Sequence, residues 1–206
     1  MQKIIERIER QLRWSVTRQY TPNECEITSD PWARTHTILL PTQAYRAIEY
    51  LHELAHAVLG EQHHLLSSAI FVQGTAKDVC NKLINPFRTA SDWLADDLLI
   101  RWCPEEERAE IREHIGYMQI IAGQEKGTEA IYCGGLMFAQ GVKYLGQNPR
   151  HIPPVYRPAA NILLSVDPGK PSVTVKRDLV NRLASLTCRE RIALTKEDGM
   201  ELWKIK

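Results

Sequence analysis

The run "EYLHELAHAVLGEQHH", residues 49–64, carries His52, Glu53 and His56 inside an apolar helical pattern. Residues four apart on a helix lie nearly one above the other, so the two imidazoles can reach one cation together. Glu53 is rotated about 100° from His52. That is too far for comfortable ligation but near enough to reach water on the cation's open side. Zinc held this way lowers the pKa of bound water towards about 7, and a carboxylate beside it can take the proton and pass it to a leaving amine. The spacing H-E-x-x-H therefore sets ligand, base and ligand on one rigid element. Leu54, Ala55, Ala57 and Val58 are uncharged, as a helix beneath a cleft requires. The competing reading of the same letters is two partly wetted helical histidines.

A catalytic zinc usually has three protein ligands. His63 lies one residue beyond the spacing HExxHxxGxxH that some zinc proteases use, and His63 and His64 read as solvated residues after the helix end. Asp92, in "SDWLADDLL", is the better candidate. Asp92 and Asp96 share a helix face. If Asp92 binds the ion, Asp96 is placed to hydrogen-bond the far nitrogen of a ligand histidine and fix its tautomer. Asp97 is expected to pair with Arg101, one turn on. Asp96, His63, His64 and Glu61 stay open as alternatives for the third position.

The elements that must position these residues follow from periodicity. Residues 2–20 step Ile4, Ile5, Ile8, Leu12 and Val16 at helical intervals, which predicts an amphipathic helix. Residues 23–28 and 34–41 read as strands. The metal helix is expected from an N-cap at Thr42 to a stop at Gly60. A short helix from Thr75 to Leu83 should end at Asn85-Pro86, and another should run from Thr89 to Trp102. Pro104 opens a further helix with acids in its first turn, which suits the helix dipole. The helix 127–146 is rich in small residues, which predicts close packing on a neighbour. Residues 148–172 read as a proline-rich connection with a short helix from Ala159, followed by a helix over 175–186 and a strand near the end. The class expected is α+β, mostly helical, with a small sheet beside the HExxH helix. Residues 1–147 read as one functional unit, and 148–206 as a connection plus a C-terminal helix and strand of unassigned role.

"HTILLPTQAYRAIEYLHELAHAVLGE" followed by "DWLADDLL" resembles the ImmA/IrrE metallopeptidases, gluzincin-type zinc proteins found with phage and mobile-element regulators. In that family a strand precedes the HExxH helix, and a later helix carries a pattern close to E-x-x-A-N/D whose first residue is the third ligand. Asp92, Ala95 and Asp96 fall on those positions, with Asp in place of Glu. The likeness covers roughly residues 30–105. It implies a zincin-like fold, Zn2+ as cofactor, and a selective cytoplasmic protease whose substrate is a protein or peptide, transcriptional regulators included.

Composition agrees with that class and excludes others. Over 206 residues, 26 basic and 25 acidic side chains leave a net charge of +1. No global field favours nucleic acid or an anionic membrane. The five cysteines show no CxxC pair, which fits reduced thiols in a cytosol. The opening "MQKIIERIERQLRW" lacks the apolar core of a signal peptide. The apolar stretch Ile131–Ala139 is broken by Gly134 and Gly135 and is too short to span a bilayer. For a second oxyanion donor, Tyr117, Tyr132, Tyr156, His114 and His151 are eligible. The main alternative function is a non-catalytic interaction module keeping the same fold. A nucleic-acid-binding regulator is disfavoured because the basic stretch near 176–194 has no clear helix-turn-helix pattern.

Overall fold

The alternation in "THTILLP" survives folding: along β3 (Thr35–Pro41), His36, Ile38 and Leu40 are buried and their neighbours half-covered. The computed structural model describes residues 1–22, 25–42, 44–66, 71–72, 74–121, 127–197 and 200–206. β3 is central in a three-stranded sheet. On one side β1 (Ser15–Thr21) pairs in parallel, with Ser15 opposite Thr35. On the other β2 (Glu26–Asp30) pairs antiparallel, with Ile27 opposite Ile38. Of the strand expected at 23–28, residues 23 and 24 lie outside the described residues, and Glu26–Thr28 fall in β2.

The N-terminal helix is shorter than its periodicity predicts. It covers Gln2–Glu9 (α1), and Val16 belongs to β1. The four-residue step from Ile8 to Leu12 to Val16 is a coincidence of spacing. The run "SVTRQYT" is rich in strand formers, and pairing with β3 settles its state. The switch is pinned by Glu61, whose carboxylate accepts the backbone N–H groups of Arg13 at 2.7 Å and Trp14 at 2.8 Å.

The helix carrying His52 and His56, α2, spans Ala47–His63, so Thr42 is not its N-cap and Gly60 is not its stop. Arg46 holds the N-cap position, and Glu49 accepts its backbone N–H at 2.9 Å. The helix closes at His64, in the left-handed region at φ 56°, and the Leu65 N–H beyond it donates to the Leu59 carbonyl at 3.2 Å. Gly60 lies within the helix, where a Cβ would come 3.1 Å from the Leu66 side chain.

The two helices expected on either side of Pro86 form one, α3 (Lys77–Trp102). Pro86 removes a single helical hydrogen bond and crowds the preceding turn. The burial of Leu83, Pro86, Phe87 and Ala90 along the same face holds the helix through it. α4 (Pro104–Ile121), α5 (Thr128–Leu145) and α6 (Arg157–Leu164) follow, with a 3₁₀ turn at Pro149–His151 between the last two. Tyr156 lies against Gly134 so closely that a Cβ on the glycine would sit 2.4 Å from the ring. A Cβ on Gly135 would meet Ala159 at 2.4 Å and one on Gly141 would meet Ile115 and Gln147 at 2.6 Å, so each glycine of α5 has its own close neighbour.

α7 (Val173–Ala184) is capped by Ser172, whose hydroxyl accepts the Val175 N–H. The chain ends in an antiparallel pair, β4 (Ile192–Glu197) and β5 (Met200–Ile205), of which the sequence reading predicts only the second.

Two apolar clusters flank α2. Ile5, Ile8, Ile27, Ile38, Leu40, Leu51 and Leu54 pack between it and the sheet. Ala55 and Leu59 join the larger cluster, which unites Phe87 and Trp93 with Leu136, Tyr156, Leu163, Leu179 and Leu183. Residues of 148–206 therefore share a core with α2. Lys176 on α7 adds a polar tie, donating to the Leu66 carbonyl at 2.6 Å from above the Phe87 ring. Among the described residues no helix is long and apolar enough to cross a membrane.

Candidate metal centre

α3 crosses α2 with Asp92 and Asp96 facing His52 and His56. Three atoms converge there. His52 Nε2 and His56 Nε2 are 3.0 Å apart, and Asp92 Oδ1 lies 3.7 Å from the first and 3.3 Å from the second. A tetrahedral ion with bonds of about 2.0–2.1 Å sets its ligand atoms about 3.3–3.4 Å apart, so the triangle has the size zinc needs. The three residues form a group able to hold a metal ion. Two imidazole lone pairs facing each other at 3.0 Å repel unless a positive charge, proton or cation, lies between them.

The shell behind the triangle fixes its tautomers. His52 Nδ1 lies 3.0 Å from Asp96 Oδ1, and donation of Nδ1–H to it leaves Nε2 with its lone pair towards the centre. Gln140 on α5 donates its amide to the other oxygen of Asp96. His56 Nδ1 is buried without a hydrogen-bond partner among the described residues.

Electrostatics divides the carboxyl groups. Burial pushes Asp92 up, but its hydrogen bonds with His52 and His56 more than offset this and hold it well below the usual carboxylate range. Burial works against the His52 imidazolium, yet Asp92 and Asp96 raise it well above its ordinary value. A cation entering the site must therefore displace a proton from His52. Asp96 moves up because burial and the Asp92 charge outweigh the help from His52.

Glu53 points to the sheet side of the site. Burial raises its pKa, the two histidines pull it back, Asp92 adds to the rise, and an N–H from Ile27 of β2 stabilises the charge. A carboxylate held above its ordinary pKa is a better proton acceptor near neutrality.

These groups line a cleft of about 480 Å³, with His52, Glu53, Asp92 and Asp96 at one end. At the mouth, Arg46 bonds both Glu49, at 3.0 Å, and Glu110 on α4, at 2.7 Å. Leu99 of α3, Ile111 and Glu107 of α4, and Leu136 and Met137 of α5 line the rest of the cleft. Burial and the nearby Asp96 charge push Glu107 up to about 8.

The remaining sequence candidates lie elsewhere. Asp97 pairs with Arg101 at 3.1 Å, as expected, and accepts the Tyr144 hydroxyl. Glu61 is committed to Arg13, Trp14 and His36. His63 and His64 end α2 outside the metal group. Of the five oxyanion candidates, His114 lines the cleft. Tyr132 bonds Thr187 and the Leu183 carbonyl, Tyr156 packs on Phe138, Tyr117 is exposed, and His151 sits in the 3₁₀ turn. The strand read at 34–41 is the middle strand of the sheet, paired on both sides; the strand beside Glu53 is β2.

Glu107 and Gln140 are absent from the sequence reading. The signal for Glu107 was present: Glu107, Ile111, Ile115 and Met118 follow helical spacing and are the buried residues of α4. A glutamate on an apolar stripe needs a reason. No family model, curated protein or solved structure matches this chain. The fold and site define an α+β, mostly helical protein with a two-histidine, one-aspartate cluster in a carboxylate-rich cleft.

Proposed function

We propose that this protein is a zinc-dependent metallopeptidase that cleaves a protein or peptide substrate, with His52, His56 and Asp92 as ligands and Glu53 as the general base. The observation that carries the reading is the convergence of two Nε2 atoms and one Oδ1 at zinc-ligand spacing, beside a buried carboxylate on the same helix. Zinc in that position supplies Lewis acidity and an acidified water.

The chain's own groups do the rest. Glu53 accepts a proton from the attacking water and returns it to the leaving nitrogen. Asp96 keeps His52 in the ligating tautomer, and Gln140 holds Asp96. β2 borders Glu53 on its unpaired edge and can align an extended peptide. His114 is the cleft-lining group available to a developing oxyanion.

The resemblance to the ImmA/IrrE metallopeptidases extends the proposal to a zincin-like fold and to a regulatory protein as substrate. Five free thiols suit work in the cytoplasm. Metal analysis of the purified protein, followed by peptide-hydrolysis assays of wild type beside Glu53→Gln, tests it. One zinc per chain in both, with hydrolysis in the wild type alone, is expected. Equal hydrolysis by the two, or failure to take up zinc, removes the proposal.

A further inference from the structure

Five of the six carboxylates lining the cleft are accounted for. Asp92 faces His52 and His56, Asp96 has His52 and Gln140, and Glu53 takes the Ile27 N–H. Arg46 serves both Glu49 and Glu110. Glu107 has no hydrogen bond or ion pair from its side chain among the described residues, although it is only 5 % exposed and lines the cleft. A buried, unpaired carboxylate is costly, and such groups are normally met by a cation or a proton. Its surroundings are equally specific. Asp96 lies close to it, and Leu99, Ile111, Leu136 and Met137 line the same cleft. Apolar side chains beside carboxylates fit a methylene stem with a positive head.

We propose that Glu107 is a specificity residue, which receives the ammonium or guanidinium group of a lysine or arginine side chain next to the scissile bond. The inference rests on the peptidase reading above and names the substrate class: peptides with a basic residue at the cleavage site. The positive head replaces the missing partner of Glu107, and the stem lies along the α4–α5 walls. A neutral side chain of the same length leaves Glu107 unpaired, so discrimination comes from the unmatched charge as much as from the matched one.

The test uses zinc-loaded protein and hydroxamates that anchor on the metal. N-acetyl-lysine and N-acetyl-norleucine hydroxamates place a side chain on one side of the ion; malonyl-hydroxamate amides of lysine and norleucine place it on the other. Binding is measured by calorimetry for wild type and Glu107→Gln, with zinc content determined for both. In one of the two pairs, the wild type should bind the lysine compound at least about tenfold tighter. In Glu107→Gln the preference should shrink below about threefold, as lysine affinity falls and norleucine affinity rises. Equal binding of lysine and norleucine compounds by the wild type, in both pairs, overturns the proposal whether or not the variant folds. So does an undiminished lysine preference in Glu107→Gln, or a second zinc that the variant loses. If no hydroxamate binds the zinc-loaded protein, the peptidase reading fails and takes this inference with it; equal binding sinks the inference alone.

Discussion

Replacing Asp96 by asparagine separates ligation of the metal from support of its ligand. Asp96 takes His52 Nδ1–H on one oxygen, at 3.0 Å, and the Gln140 amide on the other. A hydrogen bond to a charged group is worth about 1.5–3 kcal/mol, and a neutral one about 0.5–1.5. Asparagine keeps an oxygen for His52 and loses the charge, so the imidazole is held less strongly by about 1–1.5 kcal/mol. Gln140 keeps a partner by turning its amide. With tenfold per about 1.4 kcal/mol, zinc affinity of Asp96→Asn should fall about 5–12-fold, around the low end of the range for groups behind a ligand. The fold should respond in the opposite sense. Burial and the Asp92 charge raise the Asp96 pKa, so removing its negative charge relieves the interior, and melting in excess chelator should move up. Competition against a chromophoric chelator measures the affinity. Asp92→Asn, which strikes a direct ligand, should lose more than about 100-fold in the same titration. Wild-type affinity in Asp96→Asn, or a smaller loss in Asp92→Asn than in Asp96→Asn, would refute the assignment of these two roles.

Glu53→Gln should keep its zinc while peptide turnover drops by about 10²–10⁴-fold, read by inductively coupled plasma analysis and a fluorogenic assay. Gly135→Ala puts a Cβ 2.4 Å from that of Ala159. Overpacking of that kind costs about 1–3 kcal/mol, so thermal melting should fall by roughly 3–10 °C, and a rise would argue against the tight α5–α6 contact. Glu107, raised to about 8 from 4.5, favours folding relative to its charged state below pH 4.5, and that stability is lost as pH rises through about 8. In chelator, Glu107→Gln should therefore melt like wild type near pH 4 and increasingly above it towards pH 8, with a constant difference beyond; a gap that does not change with pH contradicts the buried charge.

The parts of the fold legible in the sequence are those where local pattern and tertiary demand agree. β3 reads correctly because His36, Ile38 and Leu40 alternate and the sheet buries that same set. α5 reads correctly because glycines that weaken a helix are tolerable only under close packing, and Tyr156 and Ala159 supply it. Errors arise where two local signals compete. Ile8, Leu12 and Val16 keep helical spacing, yet the strand formers after Trp14 find β3 to pair with. Pro86 signals a break that the buried face of Leu83, Phe87 and Ala90 overrides. β4 overlaps the end of a basic stretch that gives little strand signal, and its state comes from pairing with β5.

The site divides along the same line. His52, Glu53 and His56 belong to one helix, so their spacing alone states their geometry. Asp92 and Asp96 need a second helix laid across the first, which spacing within each helix cannot specify; what it does specify is that both would arrive on one face, and they meet the two sides of the same imidazole. Glu107 and Gln140 come from two further helices. Among three consecutive glutamates at a helix start, dipole compensation explains every member equally well, and only the stripe shared with Ile111, Ile115 and Met118 singles out Glu107. A charged residue that keeps step with an apolar face is thus the more informative sign. It identifies the place where a fold accepts a cost, and here that place opens into the cleft lined by His52, Asp92 and Asp96.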